Sequence, residues 1–204
     1  MAAVSMKAPA KCRLGQVISV YGGKGGVGKT IVSAGLAKLL VEAGHRVVLV
    51  DLSLRLGSDL ALSLELEPDP NIADLIPAID TLVPQTLEHY LLPHESGVRL
   101  LAAPTSPERW QRIQEGHVEK AIHLLRYRYD FVMIDMASSF DSRVLAVLPI
   151  SSIIYTLATP CNVALQNLRE LARLLRLLGY GGRTRLVLNR ITGRELLTVS
   201  EMEA

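Results

Sequence analysis

Short β-branched runs alternate with stretches of helical spacing along most of this chain. Gln16-Val-Ile-Ser-Val-Tyr21 is an apolar run that ends directly on glycines, and residues 30–43 then carry apolar positions at helical spacing, so the segment predicts strand, loop and helix. Gly44 stops that helix, and Arg46-Val-Val-Leu-Val-Asp51 predicts a second buried strand that ends in a carboxylate. The same grammar recurs downstream. It predicts strands over residues 98–102, 131–135, 152–158 and 185–188, one or two helices within 107–127, and a strongly periodic helix over 164–178. Strands alternating with helices predict a mostly parallel sheet with right-handed crossovers. Between residues 54 and 93 the pattern changes. Pro68, Pro70, Pro77 and Pro84 divide it into short helical pieces at 71–76 and 86–91, expected as an excursion over the carboxyl ends of the strands. No internal repeat or low-complexity tract is present.

Composition sharpens this picture in a few places. The 204 residues suit one domain, and 49% hydrophobic residues with a mean hydropathy of +0.27 call for strands covered on both sides. No run approaches the ~18 apolar residues of a membrane span. The first fifteen residues, with Lys7, Lys11 and Arg13, lack a signal peptide's apolar centre, so a cytoplasmic location is expected. Cys12 and Cys161 make no disulfide framework and have no His at metal-ligand spacing; both are expected as buried or half-buried thiols. His89, His94, His117 and His123 are expected to be structural or surface residues, and Met133 and Trp110 core. A net charge of +2 announces no nucleic-acid partner. Arg169, Arg173, Arg176, Arg183 and Arg185 nevertheless form a basic stripe opposite Leu168, Leu171, Leu175 and Leu178.

The chemistry concentrates in Gly23-Lys-Gly-Gly-Val-Gly28-Lys29-Thr30, which satisfies G-x-x-x-x-G-K-[ST] between a buried strand and a helix start. Glycines let backbone N–H groups turn inward around phosphates, and the helix start adds partial positive charge. Lys29 is placed for the β- and γ-phosphates and the Thr30 hydroxyl for Mg²⁺. Tyr129-Asp-Phe-Val-Met-Ile-Asp135 is the pattern by which P-loop proteins set a carboxylate near that ion.

With Lys24 included, Lys-Gly-Gly-Val-Gly-Lys-Thr resembles the deviant Walker A sequence of the MinD/ParA superfamily. The resemblance implies an α/β, SIMIBI-like P-loop NTPase: a doubly wound, mostly parallel sheet with helices on both faces. It implies ATP or ADP with Mg²⁺ as cofactors and an ATP-bound homodimer in which Lys24 reaches the partner's nucleotide. It assigns Gly23, Lys24, Gly25, Gly26, Val27, Gly28, Lys29, Thr30 and Ile31 to the nucleotide seat, with Asn189 recognising adenine and Arg190 beside it. Lys24, Lys29 and Asp51 become the catalytic set, with Asp51 in the switch region that senses the γ-phosphate, and Thr30, Asp51 and Asp135 the Mg²⁺ set. Members usually carry D-x-D at the second strand's end, where this chain reads Asp51-Leu52-Ser53. A serine holds no proton-accepting charge at neutral pH, and a positioned general base is worth ~10²–10⁴ in rate, so slow hydrolysis is expected.

Further phrases narrow the resemblance. Leu54-Arg-Leu-Gly-Ser-Asp-Leu-Ala61, Leu66-Glu-Pro68, Asn71-Ile-Ala-Asp-Leu75, His94-Glu-Ser-Gly-Val-Arg-Leu-Leu-Ala-Ala-Pro104 and Leu186-Val-Leu-Asn-Arg190 together resemble the ATPase domain of CpaE/TadZ proteins, from about residue 15 to the C-terminus. That resemblance implies a bacterial cytoplasmic scaffold at the cell pole, near the inner membrane, that localises Tad-type (Flp) pilus assembly proteins. Residues 1–15 are expected as a flexible segment too short for a receiver-like domain. Residues 16–204 are expected as the ATPase domain, ending before the last helix, strand and amphipathic helix of relatives, so direct membrane insertion has no support. The arginine stripe leaves nonspecific DNA binding open but not favoured. The alternative is an actively cycling ParA/MinD-like ATPase for DNA partition, division-site or flagellar positioning. A metabolic phosphotransferase has no recognisable acceptor-site residues in its favour.

Overall fold

The computed structural model describes residues 14–53 and 57–192. The expected segment 1–15 therefore lies almost wholly outside the described residues, as do the phrase 54–56 and the stretch from 193 onward. Seven strands form one sheet in the order β3-β4-β2-β5-β1-β6-β7. They are β1 (Gln16–Tyr21), β2 (Val47–Leu52), β3 (Leu92–Pro93), β4 (Arg99–Leu101), β5 (Phe131–Met136), β6 (Ile153–Ala158) and β7 (Thr184–Leu188). All neighbours are parallel except β3, which pairs antiparallel with β4 at the edge. Six helices accompany them among the described residues: α1 (Lys29–Glu42), α2 (Asp59–Ser63), α3 (Pro107–Gln111), α4 (Glu115–Leu125), α5 (Ser142–Val147) and α6 (Asn162–Leu177).

Alternation along the strands builds two cores, because successive side chains point to opposite faces. Val17, Val48, Val50, Val132, Ile134 and Ile154 meet α4, α5 and the lower half of α6. Ile18, Val20, Val47, Leu49 and Met133 meet α1 and α2 on the other side. Helices thus cover both faces, and the fully buried β2 reads as a continuous apolar run for that reason. Truncating a side chain such as Ile134 here costs about 2–5 kcal/mol.

Helix boundaries follow local chemistry. Gly44 takes a φ of 89° and its N–H bonds the Val41 carbonyl at 2.8 Å, which closes α1 as expected. Leu165, Leu168, Leu171 and Leu175 bury one stripe of α6, whereas Leu178 lies past its end and is exposed.

Several expectations change. The proline-rich excursion starts at the carboxyl ends, where Asn71 bridges Ala102, and then descends a face of the sheet. It packs Ile72, Leu75, Leu82 and Leu87 with α4, and Glu88 accepts from the Tyr129 hydroxyl just ahead of β5. Its helical pieces are 3₁₀ turns, Ile72–Ala78 and Thr86–Tyr90. The short strand β3 and helices α2 and α5 carry too few residues for a periodic signal. Cys161 is exposed at the start of α6 and not buried. Trp110 is partly buried under the Arg143 guanidinium, 5.1 Å from its ring centre. Arg183 and Arg185 leave the basic stripe. Arg183 stacks on Tyr180 and donates to the Pro149 and Ser151 carbonyls, and Arg185 donates to those of Gly182 and Thr184.

Candidate functional site

Strands β1, β2 and β5 deliver their carboxyl ends to one crevice, because β1 lies between β5 and β6 while its crossover helix leads to β2. The loop after β1 turns through Gly26 at φ 76° and Gly28 at φ 97° into α1. A side chain at Gly28 would meet the Asn189 amide as well as the left-handed backbone, so only glycine serves there. A cavity of about 360 Å³ opens over this loop. It is lined by the glycines, Lys29, Thr30 and Ile31, by Ser53 just past β2 and Asp59 of α2, by Ala137 and Ser138 just past β5, and by Arg190 from beyond β7.

The expected residues take different places around this cavity. Thr30 Oγ1 donates to Asp135 Oδ2 at 2.7 Å, while Asp135 Oδ1 is buried with no hydrogen-bond partner among the described residues. Burial, then the charge of Asp51, pushes the Asp135 carboxyl up to about 7, with Thr30 and Lys29 pulling the other way. An orphaned buried carboxylate oxygen beside a threonine hydroxyl is the donor set that a hard divalent cation takes, so Thr30 and Asp135 fit Mg²⁺.

Asp51 does not join them. Its Oδ1 accepts from Ser53 N at 2.9 Å and Ser53 Oγ at 2.6 Å, and its Oδ2 from Ser58 Oγ at 2.6 Å and Leu60 N at 3.4 Å. A carboxylate has about four acceptor positions, so the chain's own donors fill this one and leave none for a cation. Burial raises the Asp51 carboxyl, and those four hydrogen bonds oppose the shift. In this structure Asp51 ties the end of β2 to the start of α2, where Ser58 also caps by accepting from Ala61 N.

Lys29 Nζ donates to Ser138 Oγ at 2.8 Å. Lys24, in the loop, is exposed and makes no hydrogen bond or ion pair with another described residue; Ile31, 68% exposed, stands in the first turn of α1. Asn189 Nδ2 donates to the Val27 carbonyl at 2.9 Å, clamping β7's end onto the loop, and Arg190 follows with a left-handed φ of 61°. Sequence reasoning missed Ser58, Asp59 and Ser138. Ser138 was findable, because it sits three residues past a strand-ending aspartate on the ligand-facing edge of a parallel sheet. Ser58 and Asp59 were hidden in the segment whose course periodicity does not reveal.

A glycine loop between strand and helix, a lysine beyond it and a Thr–Asp pair with an unmet oxygen define a P-loop nucleotide-binding protein. The chain belongs to the AAA domain family AAA_31, whose model matches residues 15–186, and its fold is that of the ParA/MinD P-loop proteins. It is 33% identical over 134 residues to the antiactivator FleN of Pseudomonas aeruginosa, an alignment covering 64% of this chain and 46% of that protein. Its structure is similar to that of a ParA family ATPase from Chlorobium tepidum, with a TM-score of 0.83, 26% identity, and coverage of 94% of this chain and 79% of that one. The fold also matches the septum site-determining protein MinD complexed with Mg-ADP from Pyrococcus horikoshii, with a TM-score of 0.78, 22% identity, and coverage of 93% and 77%. The chain spans about half the length of the curated relatives it matches, 46% and 47% for the first two.

Proposed function

We propose that this chain is a nucleotide-switched scaffold: Mg-ATP binds in the cavity over the glycine loop and favours pairing of two copies, and the paired form recruits other proteins. The observation that carries the reading is the unmet Oδ1 of Asp135, whose other oxygen is bonded by Thr30, a residue that lines the cavity with Lys29. Loop N–H groups and Lys29 hold the phosphates, while Thr30 and Asp135 would hold Mg²⁺, which would supply positive charge against the phosphates when bound. Asn189 and Arg190 form the adenine side. Exposed Lys24 is free to reach the nucleotide of a second copy, with Ile31 supplying apolar area beside it.

The seat also carries a serine where relatives hold a second switch aspartate, and Ser53 Oγ is engaged with Asp51. Slow turnover suits a scaffold better than a rapid cycler. Together with the CpaE/TadZ-like phrases, this favours localisation of Tad-type pilus assembly proteins at the pole, from the cytoplasm; among the described residues no helix is long and apolar enough to cross a membrane. A second reading, an actively cycling ParA/MinD-like ATPase for DNA partition, division-site or flagellar positioning, draws support from the 29% identity over 132 residues to a septum site-determining protein MinD.

Calorimetry with ATP and ADP in Mg²⁺ buffer tests the seat, and mass in solution with and without Mg-ATP tests the switch. Saturable binding that Lys29→Ala removes, and a doubled mass that Lys24→Ala removes, are expected. A monomer under every condition would sink the switch, and steady-state turnover above about 1 s⁻¹ would favour the cycling ATPase over the scaffold.

A further inference from the structure

Three aspartates, Asp51, Asp59 and Asp135, lie close enough for their charges to interact, and two of them are already engaged. Asp51 has its acceptor positions filled by Ser53, Ser58 and Leu60. Asp135 is fully buried, with Thr30 on one oxygen and the other without a hydrogen-bond partner among the described residues. The third, Asp59, is exposed and lines the same cavity as Lys29, Thr30, Ser53, Ala137 and Ser138. Its carboxylate makes no hydrogen bond or ion pair with another described residue, and its charge reaches far enough to raise the Asp135 carboxyl. Asp59 opens α2, and Ser58 immediately before it is fixed by donating to Asp51 Oδ2 and by capping the helix. The buried Asp51 thus sets where the start of α2 stands, and so where Asp59 enters the cavity.

We propose that Asp59 is the catalytic carboxylate of ATP hydrolysis in this chain, acting from α2 in place of the carboxylate missing at Ser53. The inference rests on the nucleotide reading above. Water attacks the γ-phosphorus and forms a new P–O bond. The bond from γ-phosphorus to the β,γ-bridging oxygen breaks, and ADP leaves with that oxygen and its electron pair. The proton lost by the water goes to the Asp59 carboxylate and from there to solvent. An exposed aspartate on a five-residue helix is held less firmly than one fixed at a strand end, which gives slow turnover rather than none.

The test compares the 204-residue chain with Asp59→Asn and Asp59→Glu. At saturating Mg-ATP the single-turnover rate falls about 100-fold in Asp59→Asn and recovers in part in Asp59→Glu. Calorimetric affinity for ATP stays within about threefold, since a general base contributes to the transition state and not to ground-state binding. ADP with aluminium fluoride, which captures the in-line water, binds the unaltered chain more tightly than ADP alone, and Asp59→Asn loses that advantage. Wild-type turnover in a folded, ATP-binding Asp59→Asn would overturn the proposal. So would an unaltered chain that binds ATP without hydrolysing it, or a variant whose only change is tighter ATP binding, the mark of a charge that merely repels phosphate. Failure of the unaltered chain to bind any nucleotide would instead remove the nucleotide reading and this inference with it.

Discussion

Strands β2 and β5 run side by side in parallel register, with Asp51 opposite Asp135 one residue before the last of each strand. Both are fully buried, and burial is the largest influence raising each carboxyl. Their roles separate according to the groups that meet their oxygens. Asp51 receives two serine hydroxyls and two backbone N–H groups from its own chain and becomes a tie for α2. Asp135 receives one threonine hydroxyl and keeps an oxygen in want of a positive charge. Identical residue type and matching register are therefore insufficient to infer a shared role; the difference lies in the count of donors each loop returns to the strand end.

That contrast can be broken most severely at Asp135. Replacing it with Ala removes the cation position, and Mg²⁺-dependent tightening of nucleotide binding should fall by more than about 100-fold, read by calorimetry with and without Mg²⁺. Retained Mg²⁺ dependence would mean that the ion sits elsewhere. The matching change, Asp51→Asn, should act on the fold instead. An amide turns a donor toward the hydroxyls and N–H groups around it, costing about 2–4 kcal/mol in denaturant unfolding while Mg²⁺ affinity changes less than about threefold. A variant with native stability and lost Mg²⁺ binding would reverse the two assignments.

Ser53→Asp sharpens the comparison by adding a carboxylate between the two. ATP turnover should rise by about tenfold or more if the missing switch aspartate limits the rate. Because the variant also loses the 2.6 Å hydroxyl bond to Asp51, its midpoint in urea should fall. An unchanged rate in a folded variant would refute the limiting role of Ser53. The smallest effect belongs to the opposite end of the same strands, where Arg46 and Asp130 pair at 2.9 Å with side chains 66% and 40% exposed. The Arg46 hydrogen bond holds the Asp130 carboxyl below its ordinary value. A lowered carboxyl stabilises the fold above its unfolded-state pKa, and this contribution is lost as pH falls through the folded-state value. Solvent screening limits it, so Arg46→Ala should cost under about 1 kcal/mol at neutral pH and less in acid.

Much of the fold was legible because buried parallel strands leave continuous apolar runs and long helices leave a 3.6-residue period. β1, β2, β5, β6 and β7 and helices α1, α4 and α6 fall within a few residues of their expected spans. The excursion was only half legible. Its prolines locate the breaks, but the descent toward Tyr129 depends on which apolar face the 3₁₀ turns find, and that is a property of the assembled core.

Within the site, the turn of the glycine loop from strand into helix could be read directly, since it is built from contiguous backbone whose geometry glycine positions encode. Asp59, Ser138 and the Asn189 clamp on Val27 come from segments far apart in the chain, and no local pattern relates them. By itself the sequence determined the loop, the strand ends that face it and the serine that departs from the family pattern. Only the tertiary structure decided that Asp51 is satisfied, that Asp135 is not and that Asp59 stands open to the cavity, because hydrogen-bond satisfaction is counted over groups that meet only when the chain is folded.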